Sequence, residues 1–157
     1  MNTLTNDPKT LVENSIGFLK RMGMKVLVMA PNHVEVMAPI AGNENHLGTI
    51  YAGALFSIAE VPGGVLFYTT FDANRFYPIV KDVRIRFLKP VTTDVTVAMS
   101  MTPAEARRIT LEAEEKGKAD FQMETEVKNT QGEVVAATTS LYQIRRINHG
   151  KDSDGQA

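Results

Sequence analysis

The chain of 157 residues contains no cysteine. That absence excludes a disulfide framework and thiolate metal ligands, and it fits the expectation of a cytoplasmic protein. An excess of charge of one sign is also lacking. Seventeen Lys and Arg stand against 18 Asp and Glu, for a formal net charge of −1, so the basic surplus that marks nucleic-acid binders is missing. Histidine is scarce, and His33, His46 and His149 lie far apart with no H-x-H or H-E-x-x-H step. No metal-binding spacing results. The first residues, "MNTLTNDPKT", are polar, so no secretory signal is expected there.

What is present is one long apolar run, Thr49 to Phe71, with a single charge inside it at Glu60. Its length raises a membrane span, but Glu60, the "VPGG" step and scattered Ser, Thr and Tyr favour the core helix of a water-soluble fold. Glu60 then needs a reason. An ionised carboxylate in apolar surroundings costs several kcal/mol unless it is paired or solvated. It faces water, has a partner, or is used.

Hydrophobic residues at 43% and charged residues at 22% are ordinary for a globular domain. A single domain over 8–147 is expected, with loose tails at 1–7 and 148–157. "NDPKTLVENSIGFLKRMG" carries apolar residues at helical spacing and predicts one helix ending at Gly23. "MKVLVMA" and "HVEVMAP" predict two strands about a Pro31-Asn32 turn. After the apolar helix, "VKDVRIRFLKPV" and "DVTVAMSM" alternate with period two, and "PAEARRITLEAEEKG" predicts a charged helix from Pro103 to Gly117. "ADFQMETEVKN" and "VVAATTSLYQIRR" are two more strands. Consecutive strands with one strongly apolar helix predict an α+β fold, with a curved antiparallel sheet around that helix.

Several chemistries fall away. Gly48 and Gly53 have the spacing of a phosphate-binding loop, but Ala54-Leu55 stand where Lys and Ser or Thr are needed. Ser57 and Ser140 lack the G-x-S-x-G elbow of a nucleophilic serine. The helix start remains. Thr49 and the small residues Ala52, Gly53 and Ala54 leave backbone N–H groups open at the positive end of a helix, where a carbonyl oxygen can be held as it becomes an oxyanion. The plainer alternative is close packing against the sheet. Gly53 and Glu60 lie near one face, about 10 Å apart along the axis. One carbonyl can meet both only if two such helices lie antiparallel across a dimer interface.

Asn43 to Glu60, "NENHLGTIYAGALFSIAE", resembles the signature of hotdog-fold acyl-CoA thioesterases of the phenylacetate type and related branches. Asn45 matches the motif Asn and Gly48 its first Gly. Tyr51-Ala52-Gly53 stands at the His-Gly-Gly step, and Glu60 matches the acid. The resemblance implies a hotdog fold and a homodimer or dimer of dimers (a homotetramer) with composite sites. Glu60 would act as nucleophile or general base, Gly53 would supply backbone N–H groups, and Asn45 would position substrate or water. Gly48, Thr49, Tyr51 and Ala52 would form the substrate-binding stretch. His46 lies beside them, a loop residue whose plain role is solvation. The substrate would be an acyl-CoA, with no metal or redox cofactor and coenzyme A arriving as part of the substrate. Nucleic acid and membrane are not expected partners. Tyr51 for His and Ala52 for Gly depart from the pattern, and they motivate a rival: a hotdog protein that binds acyl thioesters without hydrolysing them. A structural dimer without any ligand is a further one. Arg84 and Arg86, with Lys81, are candidate contacts for coenzyme A phosphates, or else an ordinary solvated face. Residues flanking the helix and the 103–117 insert are expected to shape the pocket.

Overall fold

The structure, a computed structural model, describes residues 7–147. The expected tails lie outside them except for Asp7, whose carboxylate accepts from the Thr10 N–H at 3.3 Å and so caps the first helix. The elements in order are α1 (Pro8–Ser15), α2 (Gly17–Met22), β1 (Lys25–Ala30), β2 (His33–Ala38), α3 (Ala52–Thr70), β3 (Phe76–Phe87), β4 (Val95–Ser100), α4 (Pro103–Lys116), β5 (Lys118–Asn129) and β6 (Val134–Arg146).

The expected first helix is two. Ile16 is extended (φ −119°, ψ 117°) and breaks it. The break lets α2 bury Leu19 and Met22, while α1 buries no residue fully. Gly23 then ends α2 in the left-handed region (φ 76°), and the Gly23 and Met24 N–H groups return to Lys20 and Leu19 carbonyls, the bonding that glycine makes easy at a helix end. β3 begins at Phe76, earlier than the alternation from Val80 suggests, and a bulge between Val80 and Asp82 re-phases it.

All pairings are antiparallel, in the order β1-β2-β4-β5-β6-β3. The sheet curves around α3. That helix is apolar on nearly every side, as a wrapped helix must be, and ten of its residues are buried. By length and hydropathy alone α3 could cross a membrane, but its buried residues form the centre of the core with inward residues such as Val36, Val97, Phe121 and Ile144. α4 fits its expected span, capped by Thr102 and closed by Gly117.

The two sheet edges differ. Along β1, Lys9 of α1 donates to the Leu27 carbonyl at 2.6 Å, and Glu13 accepts from the Val26 N–H at 2.9 Å. The helix thus covers part of the β1 edge. β3 has no such cover among the described residues, and Tyr77, Val80 and Phe87 on it are exposed. A long edge strand without cover is a pairing surface.

Candidate active site

Glu60 sits halfway along α3, on the one side of the helix that the sheet leaves open. It lies in a groove of about 600 Å³ between Leu11 and Val12 of α1 on one side and Pro78 of β3 on the other. The floor is the stripe Glu60, Gly64 and Tyr68, four residues apart and so on one face. Among the described residues of the lining, Glu60 brings the only carboxylate. No described residue forms an ion pair with it. Burial pushes its carboxyl pKa upward, because desolvation disfavours the charged form. A base with a raised pKa is better matched to proton abstraction near neutral pH.

Behind Glu60 the helix is pinned. The Tyr142 hydroxyl of β6 donates to the Glu60 backbone carbonyl at 3.2 Å. Its phenol is pushed up to about 12, chiefly by burial and secondarily by the charge of Glu60, so it stays a neutral donor. Tyr142 is stacked on Phe121 at 5.7 Å and lies against Gly63. A Cβ at Gly63 would come within 2.2 Å of the Tyr142 ring, so glycine here is what admits the tyrosine.

The loop before α3 organises itself. Asn45 Oδ1 accepts from the Leu47 and Thr49 N–H groups at 2.9 and 3.2 Å, and its Nδ2 donates to Thr49 Oγ1 at 2.8 Å. Gly48, at φ 77°, makes the left-handed step of that turn. The Asn45 amide, the expected substrate-positioning group, thus holds this loop in shape. At the helix start, the Ala54 and Leu55 N–H groups turn back to the Tyr51 carbonyl at 3.0 and 3.1 Å. The Ala52 and Gly53 N–H groups have no partner among the described residues. Tyr51 folds its ring over this end, and a Cβ at Gly53 would meet Tyr51 Cε1 at 2.3 Å.

Not all the expected residues come together. Asn45, Thr49 and Ala52 line a second cleft of about 330 Å³ with Phe87 and Lys89, while His46 and Gly48 are exposed on the loop. Glu60 opens into the other groove, two helical turns away. Arg84 and Arg86 are not brought to either. They pair in register with Thr139 and Ala137, which in turn face Glu124 and Glu126, on the sheet face away from α3. There they share a depression of about 710 Å³ with Glu35 and Lys128. Lys81 is bound to Asp120 at 2.8 Å. The 103–117 insert does not line the groove either; α1 supplies that wall. Tyr142 escaped the sequence reading, although its period-two phase with Ile144 marks it as facing the core. Among the described residues no three His, Asp or Glu cluster as a metal site would need.

The family model described as "Domain of unknown function (DUF4442)" matches residues 8–143. A solved structure from Pseudomonas aeruginosa, described as a protein of unknown function and probable thioesterase, is 45% identical; the match covers 88% of this chain and 93% of that one, with a TM-score of 0.86. A mutant thioesterase of the same organism is 11% identical over 92% and 98% of the two chains, with a TM-score of 0.70. A thioesterase from Haemophilus influenzae is 12% identical over 90% and 91%, with a TM-score of 0.68. These last two share the fold. No curated protein matches the chain.

Proposed function

The chain belongs to the DUF4442 family, within the hotdog-fold thioesterases, and on that premise we propose that it is an acyl-CoA thioesterase. The observation that carries the proposal is Glu60: a half-buried carboxylate with no ion-pair partner among the described residues, on the floor of an apolar groove. A structural acid would be paired; an unpaired one on the floor of an acyl-sized groove is placed to act on a carbonyl.

In the general-base route, Glu60 takes a proton from water as the oxygen attacks the thioester carbon. The oxyanion collapses, the C–S bond breaks, and coenzyme A leaves as thiolate to be protonated. In the nucleophilic route Glu60 attacks the thioester carbon and expels coenzyme A as thiolate, which is then protonated, and water cleaves the resulting acyl anhydride to free acid and Glu60. Open N–H groups at a helix start suit the oxyanion in either case. The Ala52 and Gly53 N–H groups of one chain lie about 10 Å from its own Glu60, so they serve the Glu60 of the partner subunit. Pairing of the uncovered β3 edges would bring two α3 helices side by side, and this supports a homodimer or dimer of dimers. No metal or redox cofactor enters this scheme, and a cytoplasmic setting is part of the proposal.

The ring of Tyr51 over Gly53 favours one second reading, a binder that holds an acyl thioester without turnover. Coenzyme A release from a panel of acyl-CoAs, by wild type and Glu60→Gln together, separates the two. Release that collapses in the variant supports the enzyme. Tight binding with no release by wild type supports the binder, and equal release by both removes Glu60 from the chemistry.

A further inference from the structure

Within the single chain, Gly64 is a glycine with no packing reason to be one. Gly63 beside it is required by the Tyr142 ring, but a Cβ added at Gly64 would meet nothing within 4 Å. In a helix interior glycine is destabilising relative to alanine, so the helix gives up stability here without gaining a contact among the described residues of its own chain. What the glycine leaves is space. Gly64 lies in the floor stripe between Glu60 and Tyr68, and the absence of a side chain turns that stripe into a trough.

We infer that this trough between α1 and α3 holds a linear, medium-length acyl chain running from Glu60 over Gly64 to Tyr68, an inference that rests on the thioesterase proposal and specifies its substrate. Eight residues at about 1.5 Å rise separate the two ends, or about 12 Å. With C–C bonds of about 1.5 Å, an extended zigzag of about ten carbons spans that distance. The walls are suited to it. Leu11 and Val12 present aliphatic side chains from α1, and Val61 and Val65 flank the floor. In the single chain Leu11 and Tyr68 are each 60% exposed, so both offer apolar surface to an occupant. Apart from Glu60, the described residues of the lining offer no charge to a polar chain. A butyryl group would fill only the Glu60 end.

The test is the ratio of kcat/KM for decanoyl-CoA to that for butyryl-CoA. Wild type should favour decanoyl-CoA at least tenfold, since each added methylene buried in the trough contributes to binding. Gly64→Leu projects a side chain into the trough without touching the packed side of α3, and should cut that ratio at least tenfold. An unchanged ratio in Gly64→Leu overturns the inference. So does conversion of the variant to monomers in sedimentation, which would show that the trough is filled by the second copy's helix. Calorimetric binding of S-decyl- and S-butyl-coenzyme A thioethers reads the trough without turnover. Tighter binding of the decyl compound, weakened at least tenfold by Gly64→Leu, upholds the inference even if wild type hydrolyses nothing and the thioesterase proposal fails. Equal binding of the two thioethers overturns it.

Discussion

The Tyr142 hydroxyl donates to the backbone carbonyl of Glu60 at 3.2 Å across 82 residues of sequence, so the last strand of the sheet holds the helical turn that presents the carboxylate. Its ring reaches that position only because residue 63 has no side chain.

Tyr142→Phe removes this bond and keeps the ring. Folding stability should fall by about 1 kcal/mol, the usual net value of one hydrogen bond, read as a denaturant midpoint. With Glu60 less firmly placed, kcat should fall several-fold while KM holds. Gly63→Ala should cost more, about 1–3 kcal/mol, because the core must be overpacked to admit the methyl. A silent Tyr142→Phe would show that α3 needs no such anchor.

Glu60→Gln should lower coenzyme A release by about a hundredfold or more, the scale of a lost general base. It should not lower the melting temperature. The carboxyl has a raised pKa in the fold, so the stability it contributes is full below its unfolded pKa and is lost as pH rises through the folded one. The glutamine variant does not undergo that loss. Its advantage in melting temperature over wild type should therefore grow from pH 4 to pH 8, and a variant that instead melts lower at pH 8 would contradict the burial of an unpaired charge.

The same shift shapes the rate. If ionised Glu60 is the base, kcat/KM should fall on the acid side with an inflection above about 4.3, the ordinary glutamate value. An inflection at or below that value would point to a different titrating group.

Gly53→Ala separates packing from chemistry at the helix start. Tyr51 is exposed and can swing aside, so the alanine should be neutral or stabilising by up to about 1 kcal/mol. Its methyl crowds the open N–H groups, and coenzyme A release should drop about tenfold or more, on the scale of one lost oxyanion donor. Full activity in a stable variant would remove the helix start from the mechanism.

Val80→Lys places a charge on the uncovered β3 edge, where Val80 is 45% exposed. Sedimentation at micromolar concentration should show a dimer or dimer of dimers for wild type and monomer for the variant, with the circular dichroism of the fold kept and coenzyme A release lost. An active monomer would end the composite-site scheme.

The long apolar helix, its glutamate and the alternating strands were legible in the sequence, because periodicity is a local property and Gly and Pro punctuate it. Local patterns missed the break at Ile16, where the demand to bury Leu19 and Met22 overrides a continuous helical spacing. They also missed the first turn of pairing in β3, whose start at Phe76 is set by its partner β6 rather than by its own composition. Alternation put Arg84 and Arg86 on one face together, but only the packing of α3 decided that this face points away from Glu60. The trough over Gly64 and the Tyr142 anchor join α1, α3 and β6, segments far apart along the chain. Such neighbourhoods follow from how the sheet closes around the helix, and no window of sequence contains them.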